Sequence, residues 1–178
     1  MTVPPWSEEA IDRSHPRDRF DCGTPELNYY LARFARQNHE SGGAKTFCAI
    51  AEADGRILGF YSLAPAVARH EQTPAAIRRG LARHDIPGFR LARLAIDFSV
   101  QGQGLGGQLL LSAGSRCIRA ASEVGGVALY IDAKDDRAAH WYEALGAVRL
   151  TGVAEGSVPI PLVIPLATIA AALAGRRA

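Results

Sequence analysis

Four glycines within six residues, Gly102, Gly104, Gly106 and Gly107 in the run QGQGLGGQLL, separate a strand-like stretch (FRLARLAID, 89–97) from one whose apolar residues recur at helical spacing. Glycine lets a backbone come close to a ligand, and the free N–H groups and peptide dipoles at a helix start favour a phosphate. A second apolar stretch at 127–131 follows the helix, so strand, loop, helix and strand form a βαβ crossover with its two strands parallel and close. A tight turn that binds nothing is the plainer reading, but one turn does not need four glycines.

The loop fits two templates. Gly102, Gly104 and Gly107 satisfy the dinucleotide spacing G-x-G-x-x-G, while Gln101, Gly104 and Gly106 satisfy Q-x-x-G-x-G, the pyrophosphate loop of acetyl-CoA-dependent transferases. Context decides between them. A dinucleotide fold opens with this unit and keeps adding βα steps, whereas here roughly half the chain comes first and one βα step follows. Glu123 stands too early and Asp132 too late for the ribose-binding acid, and the G-K-[ST] ending of a triphosphate loop is missing. Coenzyme A therefore ranks above NAD.

The rest of the chain reads as one α/β (α+β) domain, a mixed central sheet with helices on both faces. At 178 residues, 48% hydrophobic and 21% charged, it has material for a single core. Residues 1–19 are polar and proline-bearing and read as an N-terminal arm, a loose lead-in; the domain spans 20–178. Thr24-Pro25 should cap a helix carrying Leu27, Leu31 and Phe34 and ending at Gly42-Gly43. Strands at 45–51 and 56–64 form a hairpin through Asp54-Gly55. A basic, irregular or helical connection at 66–88 leads to the strand before the loop. The helix after the loop has Leu105, Leu109, Ala113 and Cys117 on one stripe and stops at Gly125-Gly126. Asp135-Asp136 should open another helix that Gly146 terminates, with extended chain at 147–150. The apolar run 158–175 is long enough to suggest a membrane span, but Pro159, Pro161 and Pro165 break it into a strand at 162–164 and a helix at 167–173.

Lys plus Arg number 20 against 18 acids, so the net charge of +2 alone does not point to nucleic acid. Locally the balance differs. Between residues 69 and 90, Arg69, Arg78, Arg79, Arg83 and Arg90 outnumber Glu71 and Asp85, with His70 and His84 interleaved, and Lys45, Arg33 and Arg36 add to this charge. A solvated face is the bland alternative. Cys22, Cys48 and Cys117 are odd in number and far apart, which supports neither a disulfide framework nor a cysteine zinc site and fits a reducing cytoplasm; no metal is expected. The first residues lack the apolar core of a secretory signal.

The segment DDRAAHWY (135–142) begins at the same sheet edge as the glycine loop in a parallel βαβ unit. Tyr142 is its candidate acid: a phenol titrating near ~10 is protonated at neutral pH and can hand a proton to a departing thiolate. The other reading makes Trp141 and Tyr142 core aromatics and His140 a surface or packed residue.

FDCGTPELNYYL, GAKTFCAIAEADGRILGFYSLA, RLARLAIDFSVQGQGLGGQLL and ALYIDAKDDRAAHWYEALGA together resemble the GNAT acetyltransferases. Within them they are most similar to the toxin branch that acetylates aminoacyl-tRNA in bacterial toxin-antitoxin pairs. The loop carries the wider resemblance; FDCG with Leu27-Asn28, Ala-Lys-Thr at 44–46 and the strand from Arg93 to Asp97 carry the narrower one. The resemblance implies a GNAT fold with a splayed acetyl-CoA cleft between two parallel strands. Leu94, Ala95 and Ile96 would run along the pantetheine. Gln101, Gly102, Gln103, Gly104, Leu105, Gly106 and Gly107 would hold the pyrophosphate, and Tyr142 would be the general acid. It further implies aminoacyl-tRNA as substrate, a cognate antitoxin and a homodimer; for such a substrate the basic residues Lys45, Arg78, Arg79, Arg90 and Arg93 are the candidate contacts, and the prolines of the C-terminal run argue for no membrane. Trp141 and Ala147 replace phenylalanines usual in the family, which bears on packing behind the site. The alternatives are a GNAT acting on a small amine or protein N-terminus, and a non-catalytic acyl-CoA-binding interaction module.

Overall fold

A computed structural model describes residues 1–177. In chain order its elements are β1 (Trp6–Ala10), α1 (Pro25–Arg33), α2 (Ala35–Ser41), β2 (Lys45–Ala51), β3 (Ile57–Ala68), α3 (Ala75–Arg78) and β4 (Ile86–Ile96). There follow α4 (Leu105–Val124), β5 (Ala128–Ala133), α5 (Asp136–Ala144), β6 (Val148–Arg149), β7 (Ile160–Pro165) and α6 (Leu166–Arg177). They form two compact units, one of Met1–Ala64 with Ala92–Leu110, the other of Pro65–Leu91 with the chain after Leu110.

In the first unit the strand order is β1-β2-β3-β4. The opening residues are a correction to the sequence reading. They do not form a loose lead-in: β1 pairs antiparallel with β2 from Trp6↔Ala51 to Ala10↔Phe47. WSEEA has no apolar alternation, so its strand state comes from the backbone ladder, with Tyr61 Oη donating to the Glu8 carboxylate at 2.9 Å. Ile11 then enters a core with Phe20, Tyr30, Leu31, Cys48, Phe60 and Ala95. The single helix expected from Pro25 is divided in two at Phe34, which stays in the right-handed region at φ −116° and ψ −30°, and Gly42 ends the second at φ +84°. The hairpin forms as read, with Gly55 at φ +71°, although β3 runs on to Ala68.

In the second unit the order is β4-β5-β7-β6. β4 and β5 are parallel from Gly88↔Ala128 to Leu91↔Ile131, the geometry the crossover demanded, and β7 is antiparallel to β5. At Gly88 the pair leaves no room for a side chain. A Cβ there would lie 2.3 Å from the Ala128 carbonyl oxygen and 3.0 Å from the Tyr130 ring. That ring is fixed by its Oη donating to the Ile86 carbonyl at 2.8 Å. Gly88→Val should therefore destabilise the fold by about 3 kcal/mol or more, lowering Tm by roughly 6–12 °C in a thermal melt; an unchanged Tm would mean the strands can part without loss. The connection at 66–88 is shorter than expected, because strand invades it from both ends and α3 is its single α-helix. The apolar C-terminal run splits into β7 and α6 as the prolines required, and no helix among the described residues is long and apolar enough to cross a membrane.

All three cysteines are free. Burial pushes the Cys48 and Cys117 thiols up to about 12, whereas Cys22 is partly exposed.

Candidate functional site

Along β4, side chains alternate: Ala95 is 5% exposed in the core, Arg93 shares its face, and Leu94 and Ile96 take the other. The parallel ladder stops at Leu91↔Ile131 while β4 continues to Ile96, so the backbone of residues 92–96 lies outside that ladder. At the strand end the Asp97 carboxylate accepts from the Ser99 N–H at 3.0 Å and the Asp21 N–H at 3.1 Å. The Phe98 N–H donates to the Asp21 carbonyl at 2.8 Å.

Gln101 is the fastening of the loop. Its Nε2 donates to the Ile96 carbonyl at 2.9 Å and to the Cys22 carbonyl at 3.0 Å, so the side chain assigned to ligand holding binds the protein itself. Gln103 Nε2 donates to the Ser99 carbonyl at 3.3 Å, and its Oε1 is buried without a partner among the described residues. Gly102 and Gly104 have φ of +75° and +87°, a region closed to most side chains. At Gly102, Gly104 and Gly107 an added Cβ would meet nothing within 4 Å. Packing inside the protein does not require glycine there, and that side of the loop is an open cradle. Leu105, 1% exposed, anchors the start of α4, and Gln108 makes an early helical bond to the Gly104 carbonyl at 3.3 Å. The N–H groups ahead of that bond have no acceptor within the helix, and twenty aligned peptides add their dipole. The cradle fits an anionic ligand such as a pyrophosphate.

In the second unit, the Asp135 carboxylate caps α5 by accepting from the Ala138 N–H at 2.8 Å. Gly146 ends it at φ +101°, with Gly146 N–H on Glu143 and Ala147 N–H on Tyr142 carbonyls, each at 3.0 Å. Tyr142 is half-buried, its ring edge-on to Trp141 with centroids 4.9 Å apart. Burial pushes the phenol up to about 12, and its Oη has no hydrogen-bond partner among the described residues. A protonated, unengaged phenol can donate to a substrate atom. Trp141 is 41% exposed and Ala147 5%.

The basic candidates divide between the units. Lys45 and Arg93 belong to the first, Arg78, Arg79 and Arg90 to the second. Arg90 is compensated by an ion pair with Asp132, and Arg78 Nη1 donates to the His70 carbonyl at 3.4 Å. Arg79 is exposed at the end of α3, and Lys45 Nζ donates to the His39 carbonyl at 2.7 Å. Arg93 lies with its guanidinium 3.5 Å over the Tyr30 ring, a stacked cation rather than a solvated one. Asn28, which the sequence marks only as part of a motif, ties the turn beside the loop: Oδ1 accepts from the Cys22 N–H at 3.0 Å and Nδ2 donates to Asp21 at 2.8 Å. No cluster of metal-ligating side chains occurs among the described residues.

Residues 44–146 match the acetyltransferase (GNAT) domain family. A tRNA-acetylating toxin of Mycobacterium tuberculosis is 39% identical over 123 residues, 69% of this chain and 72% of that protein. Among solved structures, a tyrosine-to-phenylalanine mutant of KacT superposes with a TM-score of 0.85 at 27% identity, covering 94% of this chain and 98% of that one. AtaT complexed with acetyl-methionyl-tRNAfMet gives 0.83 at 26%, over 95% and 99%. AtaTR bound with AcCoA gives 0.79 at 27%, over 94% and 98%.

Proposed function

The chain belongs to the acetyltransferase (GNAT) domain family and is an acetyl-CoA-dependent N-acetyltransferase, and from that premise we propose that its acceptor is the α-amino group of aminoacyl-tRNA. The observation that carries this acceptor is the 39% identity to a tRNA-acetylating toxin across 69% of the chain. An acetylated α-amino group can no longer attack a peptidyl ester, so the consequence is arrest of translation. We extend the reading to a cognate antitoxin, on the strength of an AtaT neighbour bound to the C-terminus of the antitoxin AtaR, to a homodimer, on the strength of the toxin-branch resemblance, and to the cytoplasm, on the strength of the unpaired cysteines.

Acetyl-CoA supplies an activated acyl group and a thiolate leaving group. Loop N–H groups from Gly102 to Gly107 and the α4 dipole hold its pyrophosphate, and the backbone of Leu94, Ala95 and Ile96 lies along its pantetheine. A strand N–H polarises the carbonyl under attack. The free α-amine, titrating near ~7.7–8.0, attacks without needing a strong base; its nitrogen bonds the acetyl carbon as the carbon–sulfur bond breaks. Tyr142 donates its proton to the departing sulfur and recovers one from solvent, the ammonium proton going to water.

Gln101→Ala removes both fastenings of the loop while leaving the glycines in place. The expected result is a KM for acetyl-CoA raised about tenfold with kcat little changed, since the net loss of two hydrogen bonds is about 1–3 kcal/mol. A drop confined to kcat would contradict a positioning role. The acceptor is tested by transfer of labelled acetyl from acetyl-CoA to total charged tRNA, with deacylated tRNA in parallel. Label on charged tRNA alone supports the reading, and digestion names the amino acid. Label on small amines or a protein N-terminus instead, or acetyl-CoA binding without any transfer, replaces it with one of the two alternatives.

A further inference from the structure

Tyr29 and Phe34 are left out of the first unit's core. The helical segment that carries them buries Tyr30, Leu31 and Ala35, at 5%, 0% and 0% exposure, while Tyr29 is 60% and Phe34 46% exposed. The two exposed rings nonetheless hold one another, edge to face with centroids 5.5 Å apart and planes at 73°. The pair presents aromatic faces to solvent, where a planar ligand could stack.

The charge beside it identifies that ligand. The segment from Pro25 to Ser41 carries Arg33 and Arg36, with Glu26 and Glu40 near its two ends. Arg36 is paired with Glu40, but Arg33, between the two rings in sequence, makes no ion pair among the described residues. Arg17 reaches the same end of α1, its Nη1 donating to the Ala32 carbonyl at 3.3 Å, and it too lacks a carboxylate partner among the described residues. A protein partner docking on apolar rings would have to desolvate these guanidiniums. Single-stranded RNA offers π-faces for the rings and phosphates for the arginines at once.

We propose that Tyr29 and Phe34 form a stacking platform for unpaired bases of the single-stranded 3′ end of tRNA, with Arg33 and Arg17 on the adjoining phosphates. This deepens the aminoacyl-tRNA reading and rests on it. The pair binds and orients the acceptor and takes no part in proton transfer.

The test compares the full-length protein with a Tyr29→Leu, Phe34→Leu double variant, which keeps apolar area and helix propensity but removes the π-faces. Each is titrated with deacylated tRNA and with the same tRNA lacking its single-stranded 3′ nucleotides. The double variant should lose about 5- to 150-fold in affinity for the intact tRNA, nothing for the truncated one, and nothing in KM for acetyl-CoA. Tyr29→Trp should bind as well as the parent. The salt slope should be unchanged in the double variant and shallower by about one in Arg33→Ala. Equal losses on both RNAs, unchanged affinity for intact tRNA, or a shift in the protein's oligomeric mass in place of an affinity loss each overturn the platform. A parent protein that acetylates charged tRNA beside an indifferent double variant defeats the platform alone; a parent that neither acetylates charged tRNA nor distinguishes the two RNAs defeats the substrate reading with it.

Discussion

Tyr142→Phe is expected to lower turnover at least ~10²-fold while leaving the KM for acetyl-CoA within about twofold, the signature of a lost general acid. The substitution removes one oxygen and keeps the ring that packs edge-on to Trp141, so folding should be untouched. The pH profile supplies a second reading. Burial raises the phenol to about 12, which means that its protonated form persists through the physiological range and beyond. kcat/KM on charged tRNA should rise as the α-amine loses its proton near ~8 and then stay level past ~10, where an ordinary tyrosine would already be ionising. A descending limb centred near ~10 would place Tyr142 in water during catalysis, and a variant retaining a third of the parental rate would remove it from the reaction. The same shift affects stability. The folded state keeps this proton longer than the unfolded chain, so the contribution is complete at neutral pH and declines as pH rises above ~10.

Gly104→Val is expected to raise the KM for acetyl-CoA at least ~10²-fold. At φ +87° a β-branched side chain is strained, and the loop's way out is to re-orient the N–H groups that form the cradle. Gly107→Ala separates strain from occupancy. Gly107 lies inside α4 without a left-handed φ and with nothing within 4 Å of an added methyl. By helix propensity, alanine there should stabilise by about 0.5–1 kcal/mol. If that variant melts higher yet binds acetyl-CoA about tenfold more weakly, the open side of the loop is where the ligand lies. Unaltered binding in both variants would mean that the glycines serve the turn alone.

The loop was legible in the sequence because its signals are local. Glycine spacing, the stripe from Leu105 to Cys117, the Asp135 cap and the Gly146 stop each act within a few residues, and they are found where read. β1 was not legible, since an acidic pentapeptide becomes a strand only when β2 offers it a ladder. Phe34 reads as one residue with Leu27 and Leu31 on a single helix, but the helix is divided there and Phe34 stays exposed. The basic candidates show a further limit. Arg90 and Arg93 look like free cations in a sequence, and their partners, Asp132 and Tyr30, stand far along the chain. Gln101 is similar: the motif supplied its importance, while its attachment to Cys22 is a contact across 79 residues.

That attachment gives the chain a built-in reporter. Of the three thiols, those of Cys48 and Cys117 are buried and hold their protons to about 12, so a soft electrophile at mild pH meets neither as a thiolate. Cys22 is the one within reach, and its own backbone carbonyl receives the Gln101 side chain. Alkylation should therefore stop at one equivalent, and its rate should register whether the loop a few ångströms away is empty or filled, reading occupancy of the cradle without any turnover.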